Sequence, residues 1–447
     1  MSIKNLFMAA ALALAVACTS SRTTVPIKTE VPAREASQQD VIGLTVPAMD
    51  TVRIGFVGLG MRGSGAVSRY TYVPGVKIVA LCDVEPDRVA AAQKTLEGRA
   101  FPKAAEYSGS LDAYKQLCER DDIDLVYICT DWIHHAEVAI CAMEHGKNAA
   151  IEVPAATSLK ECWDLVNTSE KTRKHCMMLE NCCYDFFELS CLAMAQAGVF
   201  GEVLHVEGSY LHWLDPYWDE YWNNWRLDFN HTHRGDVYPT HGLGPICQVL
   251  GIHRGDRMKT LVAMDTKAVN GPARVKMQTG KECDDFLNGD ETNTLIRTEN
   301  GKTILVSHDV LTPRPYDRMY QIVGTEGYAA KYPIQQISVG SHDVLGPEAV
   351  RELQEKHPSP ILTPELVDLA KTVGGHGGMD FIMDYRLIYC LRNGLPLDMD
   401  VYDLAEWCCL GELGSISIEN GNAPVEVPDF TRGAWKKVNG FSYAFAQ

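Results

Sequence analysis

The stretch that decides the fold is Thr51-Val52-Arg53-Ile54-Gly55-Phe56-Val57-Gly58-Leu59-Gly60-Met61-Arg62-Gly63, residues 51–63. Its first half is a short apolar run of the buried-strand kind, and Gly58-Leu59-Gly60-Met61-Arg62-Gly63 fits G-x-G-x-x-G. A helical pattern follows. A second apolar run, Lys77-Ile78-Val79-Ala80-Leu81-Cys82, then ends at Asp83, 20 residues beyond Gly63. Each part has a role in holding a dinucleotide. Gly58 allows the tight turn, Gly60 lets backbone approach a pyrophosphate, and Gly63 lets helix pack on strand. The positive N-terminus of the helix faces the phosphates. Asp83 accepts from the ribose hydroxyls and repels a 2′-phosphate, so the cofactor expected is NAD rather than NADP. A glycine-rich turn in some other α/β protein would not account for Asp83.

Outward from this unit, apolar runs at 123–129 and 148–152 alternate with helical patterns at 86–96, 111–120 and 136–145. Ser158 is placed to cap a helix starting at Leu159. The alternation predicts an α/β Rossmann domain, a doubly wound parallel sheet over 49–175. Ligands of such sheets lie at the carboxyl ends of the strands, where Trp132-Ile133-His134-His135 and Glu152-Val153 fall. From Met177 the pattern changes. Strand-like runs recur at 203–211, 259–268, 293–298, 303–308 and 318–323, with helices at 364–373, 379–392 and 401–418. Residues 176–447 therefore read as an α+β domain with a large, open-faced, mostly antiparallel sheet. The irregular segment 212–245, rich in Trp, Tyr and His, reads as a functional insertion.

The N-terminus reads as an export signal. Lys4 precedes an apolar run from Leu6 to Val16, too short for a stable membrane anchor, which ends in Leu14-Ala15-Val16-Ala17-Cys18. This resembles a bacterial lipobox over residues 1–18, with Cys18 lipidated; the alternative is an ordinary cleaved signal. Residues 19–48, polar and Pro-containing, read as a flexible tether. The expected location is the cell envelope, with membrane contact through the lipid alone. Fifteen cysteines, most within apolar stretches and none in a C-x-x-C pair, read as small buried hydrophobes rather than a disulfide framework. The net charge of −17 argues against a nucleic-acid partner. The open sheet leads us to expect a homo-oligomer. His231 and His233 form a His-x-His without an evident third ligand, so no metal is assigned.

These residues resemble the Gfo/Idh/MocA oxidoreductase superfamily over about residues 50–435. Within it the chain is most similar to glycoside hydrolase family 109, the NAD-dependent α-N-acetylgalactosaminidases. The closer match is carried by Gly58–Gly63, Trp132–His135, Glu152-Val153-Pro154 and Tyr238-Pro239-Thr240-His241. The superfamily's sugar dehydrogenases place a catalytic lysine where this chain has Val153, which cannot move a proton. The resemblance implies hydrolysis by transient oxidation. Hydride passes from C3 of the sugar to tightly bound NAD, the C2 proton is removed, the C1 group is eliminated, water adds and the hydride returns. It further implies that His241 and Tyr238 are catalytic, that Met61, Arg62, Trp132, Ile133, His134, His135, Glu152, Val153 and Asn181 contact the cofactor, and that Tyr210, Arg226, Tyr238, Pro239, Thr240, His241 and Tyr316 bind the carbohydrate. Spacing alone also allows Tyr238 and His241 to be packing residues at a helix start. Two other functions stay open, an NAD-dependent sugar or inositol dehydrogenase and a non-catalytic binding lipoprotein that retains NAD.

Overall fold

The computed structural model of the protein describes residues 25–446; Cys18 and the proposed signal lie outside them. The first sheet is parallel, with strands β1 (Val52–Val57), β2 (Val76–Asp83), β3 (Ala105–Ser108), β4 (Leu125–Ile128), β5 (Asn148–Ile151) and β6 (Cys176–Met178) in the order β3-β2-β1-β4-β5-β6. β4 and β5 are buried at every position, because helices cover both faces. Those helices are α1 (Met61–Tyr70), α2 (Pro86–Gly98), α3 (Ala113–Cys118), α4 (Trp132–Glu144) and α5 (Leu159–Thr172). Ser158 caps α5 as expected, its side chain accepting from the Glu161 N–H at 3.2 Å.

After α6 (Phe186–Gln196), β7 (Val203–Leu211) enters an eight-stranded sheet. α7 (Trp225–Thr232) and α8 (Thr240–Leu250) follow, then β8 (Met258–Asp265), α9 (Asn270–Thr279), β9 (Thr292–Thr298) and β10 (Thr303–Asp309). Three short strands come next, β11 (Gln321–Gly324), β12 (Gly327–Ala330) and β13 (Gln336–Val339). Helices α10 (Pro347–Lys356), α11 (Pro364–Val373), α12 (Met379–Asn393), α13 (Val401–Cys408) and α14 (Leu410–Glu419) precede β14 (Val425–Glu426). The order is β13-β12-β11-β7-β10-β9-β8-β14, antiparallel except for the central β7–β10 pair.

Three expectations need correction. The first domain does not stop at 175: β6 pairs with β5 in parallel, Ala149 opposite Cys176, and three buried residues are too short a run to show a strand period. Residues 25–48 are not a free tether. Val41 and Val46 are buried, Ile27 bridges to Val425, and Arg34 pairs with the buried Glu170 at 2.8 Å. The helix expected over 401–418 is two helices, meeting at Cys409. The fourteen cysteines from Cys82 to Cys409 are all unpaired, and all but Cys129 and Cys141 are buried.

Two features of the fold position the site. α8 lies directly against β7, because neither Gly208 nor Gly242 carries a side chain. A β-carbon on Gly208 would fall 2.1 Å from the Gly242 carbonyl oxygen. This contact sets His241, in the first turn of α8, beside Tyr210 on β7 with ring centroids 5.3 Å apart. α12, meanwhile, returns to the first domain. Arg69 of α1 donates to Asp384 of α12 at 2.8 Å, and Tyr127 of β4 donates to the same carboxylate at 3.0 Å.

Candidate active site

The glycine loop between β1 and α1 behaves as its motif requires. Gly58 has φ +86°, and a β-carbon there would lie 2.4 Å from the Cys129 carbonyl. A β-carbon at Gly63 would fall 1.9 Å from the Gly58 carbonyl oxygen. At Gly60 the nearest atom would be 3.6 Å away, on the Arg88 side chain, so this stretch of backbone stays open to a ligand. A cavity lies beyond it, lined by Gly58, Gly60, Met61, Arg62, Asp83, Thr130, Asp131 and His134 from the first domain. Asp83 is buried at its edge. The Leu59 N–H donates to its Oδ2 at 2.6 Å and the Glu85 N–H to its Oδ1 at 2.9 Å. These bonds hold the carboxylate at the mouth of the turn, where a ribose diol would meet it. An open glycine backbone, a helix N-terminus and a fixed acid fit a dinucleotide.

Other residues expected to contact the cofactor take different places. Trp132 to His135 form the first turn of α4, after Asp131 as N-cap. His134 faces the cavity and pairs with Asp131. Trp132 turns the other way, into a cluster with Trp225, Phe229 and Tyr238 at centroid distances of 5.0, 5.1 and 5.5 Å. Ile133 is exposed. His135 is not placed to touch a cofactor. It is buried, and its ring nitrogens meet the carbonyl oxygens of Pro154 at 2.8 Å and Thr130 at 3.0 Å. Burial lowers its pKa against the pull of the two carbonyls, and its place is that of a structural brace. Val153 is buried and precedes a cis proline. Glu152 pairs with Arg62 at 2.9 Å, and Asn181 donates to Asp380 at 2.6 Å.

The residues assigned to carbohydrate come together. Tyr210 and Tyr238 are 4.5 Å apart, Tyr238 and His241 4.9 Å, and Tyr210 and Tyr316 6.4 Å, by ring centroids. Arg226 lies among four rings, its Cζ 4.9 Å from Tyr238, 5.0 Å from Trp132, 5.2 Å from Tyr221 and 5.9 Å from Tyr210. It is 7% exposed, and its Nη1 donates to the Tyr221 hydroxyl at 2.6 Å. Its Nε and Nη2 are buried without a partner. That pair of donors forms one edge of the guanidinium fork, suited to an oxygen-rich ligand. Pro239 and Thr240 are buried at the start of α8; they set the direction of Tyr238 and His241.

Sequence reasoning missed two histidine–carboxylate dyads. Glu180, fully buried after β6, accepts from His241 Nδ1 at 2.7 Å, while His241 Nε2 lies 3.3 Å from the Tyr238 hydroxyl. Burial alone would raise the Glu180 carboxyl; the His241 imidazole and the Cys182 N–H hold it below its usual range. The second dyad is His376–Asp380. Residues 374–378, Gly-Gly-His-Gly-Gly, all have positive φ, +45° at His376, and this reversal brings His376 Nδ1 within 3.0 Å of Asp380. The Asp380 carboxylate also pairs with Arg62 at 3.2 Å. Burial drives His212 down to about 4, with Arg226, His241 and His376 adding to the effect. His376 and Asp380 are four residues apart in the chain, but a glycine-flanked histidine before a helix does not by itself announce a pair with that acid. Nearby, Asp236 is 1% exposed. Its Oδ1 accepts from the Tyr238 N–H at 3.0 Å, its Oδ2 has no partner, and burial pushes its carboxyl from 3.8 up to about 7.

A Rossmann sheet joined to an open sheet, with a dinucleotide cleft beside an aromatic, histidine-bearing cluster, defines an NAD-dependent enzyme of two domains. Residues 52–180 match the oxidoreductase family with NAD-binding Rossmann fold, and residues 184–437 match the C-terminal domain of glycosyl hydrolase 109. The chain is 66% identical over 438 residues to "Glycosyl hydrolase family 109 protein 1" of Bacteroides thetaiotaomicron, covering 94% of each. It is 62% identical over 473 residues to the protein of the same name from Phocaeicola vulgatus, covering 100% of each. The chain belongs to glycosyl hydrolase family 109, and its cofactor is NAD. Among solved structures it is similar to levoglucosan dehydrogenase in complex with NADH and levoglucosan (TM-score 0.63, 19% identity, 85% of this chain and 99% of that one). It is also similar to apo scyllo-inositol dehydrogenase from Lactobacillus casei (TM-score 0.60, 12% identity, 85% and 99%). At these identities the likeness establishes the fold.

Proposed function

We propose that this family member hydrolyses glycosides of terminal α-linked N-acetylgalactosamine, or a closely related sugar, by transient oxidation, elimination, water addition and re-reduction. The observation that carries this reading is the buried Arg226 donor edge among Trp132, Tyr210 and Tyr238, beside a Tyr238–His241–Glu180 array. Aromatic faces suit the C–H surface of a sugar ring, and the free Nε and Nη2 donors suit hydroxyl or acetamide oxygens. Bound NAD supplies reversible hydride acceptance at C3. The remaining work is proton transfer. Glu180 holds the Nδ1–H of His241, which leaves Nε2 as the atom that takes and returns protons at C2 and C3. The Tyr238 hydroxyl, 3.3 Å from Nε2, donates to oxygen as charge develops. His376, held by Asp380, protonates the leaving oxygen at C1 and activates the water that replaces it. Val153 offers no proton, in keeping with this division of labour.

The test is a panel of aryl α- and β-glycosides, assayed on purified protein with no added cofactor. The proposal expects aryl alcohol release from the α-N-acetylgalactosaminide without net NADH. Stoichiometric NADH from a free sugar, with no glycoside cleaved, would make the protein a dehydrogenase. We further propose that the chain is exported and anchored through a lipid on Cys18. Cys18→Ser should then abolish partition into detergent, and an unmodified mature N-terminus beyond Cys18 would refute the anchor.

A further inference from the structure

The aromatic insertion expected to be functional has one part that the sugar pocket does not use. Residues 215–225 run as two short 3-10 turns, Asp215–Glu220 and Trp222–Asn224, between β7 and α7. They belong to the second domain in sequence, yet Glu220, Tyr221, Trp222 and Trp225 line the cofactor cavity opposite Gly60 and Asp83. Trp222 Nε1 donates to Glu85 Oε1 at 3.0 Å, which joins the insertion to the loop after β2. Glu85 is two residues beyond Asp83, so this bond closes beside the acid that faces the adenosine ribose.

The segment is anchored at its far end. Trp218 is 1% exposed, and the Asp219 carboxylate accepts from Arg274 Nη2 at 2.7 Å and from Gln278 Nε2 at 2.9 Å. Its near end turns sharply. Asn223 and Asn224 have φ of +48° and +56°, the left-handed region that side chains rarely adopt, and the reversal delivers Trp225 against Trp132. A segment fixed at both ends and bonded to Glu85 is placed to hold a dinucleotide in the cavity that Trp222 lines.

We propose that residues 215–225 are a latch that retains NAD, closed by the Trp222–Glu85 hydrogen bond. The proposal rests on the cofactor cleft alone and holds for whichever reaction the sugar pocket runs. It gives the insertion two uses: its last residues wall the sugar pocket, and the residues before them keep the cofactor.

The test is the release rate of bound NAD, measured without substrate by chasing isotopically labelled NAD with an excess of unlabelled NAD. Trp222→Phe keeps an aromatic ring, though a smaller one, and removes the donor; Glu85→Ala removes the acceptor from a position that makes no side-chain helix cap. Each should release NAD about tenfold faster, the effect of one hydrogen bond to a charged group. The double variant should release no faster than the singles, because both remove the same bond. Glu85→Ala leaves the latch segment intact, so it tests the proposal even where Trp222→Phe fails to fold. Release within twofold of the native rate in Glu85→Ala, or multiplied accelerations in the double variant, would overturn the latch.

Discussion

Glu180→Gln probes the proposed Tyr238–His241–Glu180 array most selectively. The glutamine keeps the volume of a fully buried side chain and can still accept from the Cys182 N–H, which lies 3.1 Å from the native Oε1. It can also accept from His241 Nδ1, so the imidazole keeps its tautomer. What is lost is the negative charge 2.7 Å from Nδ1. A hydrogen bond to a charged partner contributes about 1.5–3 kcal/mol and a neutral one about 0.5–1.5, so the loss is about 1–2 kcal/mol. If that difference is felt when His241 carries its extra proton, kcat falls about 5- to 30-fold. The assay is steady-state cleavage of an aryl glycoside, with bound NAD quantified on the same sample. Glu180→Ala, which also empties the buried site, should lose more than Glu180→Gln. A kcat within twofold of native for Glu180→Gln, at full NAD content, would refute the role given to the dyad.

Three further outcomes follow from the geometry. Gly63→Ala places a methyl 1.9 Å from the Gly58 carbonyl oxygen, so the protein should purify without NAD or fail to fold; full NAD content in the variant would contradict the loop's role. Asp236 has its folded pKa raised from 3.8 to about 7, so the stability tied to its proton is complete below pH 3.8 and lost as pH rises through about 7. Between pH 5 and pH 8 this amounts to about 3 kcal/mol of unfolding free energy, which Asp236→Asn should abolish; urea titrations showing the same pH dependence in both proteins would disprove it. His376→Ala should slow glycosides with poor leaving groups by about a hundredfold and dinitrophenyl glycosides far less, since a good leaving group needs no acid. Equal losses on both would remove His376 from leaving-group protonation.

How much of this was legible depended on how local each signal is. The strand, glycine loop, helix and Asp83 lie within 33 residues, and residues 51–83 fold as their pattern dictates. Tyr238 and His241 share one turn, so their pairing could be read from the chain, though their apposition to Tyr210 depends on the Gly208–Gly242 contact. Glu180 lies 61 residues from His241, and Asn181 lies 199 residues from Asp380; no periodicity announces pairs made by tertiary closure. His135 misled for the opposite reason. A continuous motif was read as one surface, whereas a helical turn sends Trp132, His134 and His135 in different directions. The polar run 25–48 looked like a tether because its anchors are few: Val41, Val46 and the Arg34–Glu170 pair.

Glycoside cleavage by the proposed route passes through removal of the proton at C2, and hydrolysis in heavy water reports on that step. An elimination route exchanges that hydrogen with solvent, while displacement at C1 leaves it in place. Nuclear magnetic resonance of the released sugar should find deuterium at C2 when the native enzyme turns over in heavy water. Product carrying only protium at C2 would contradict the oxidation–elimination account.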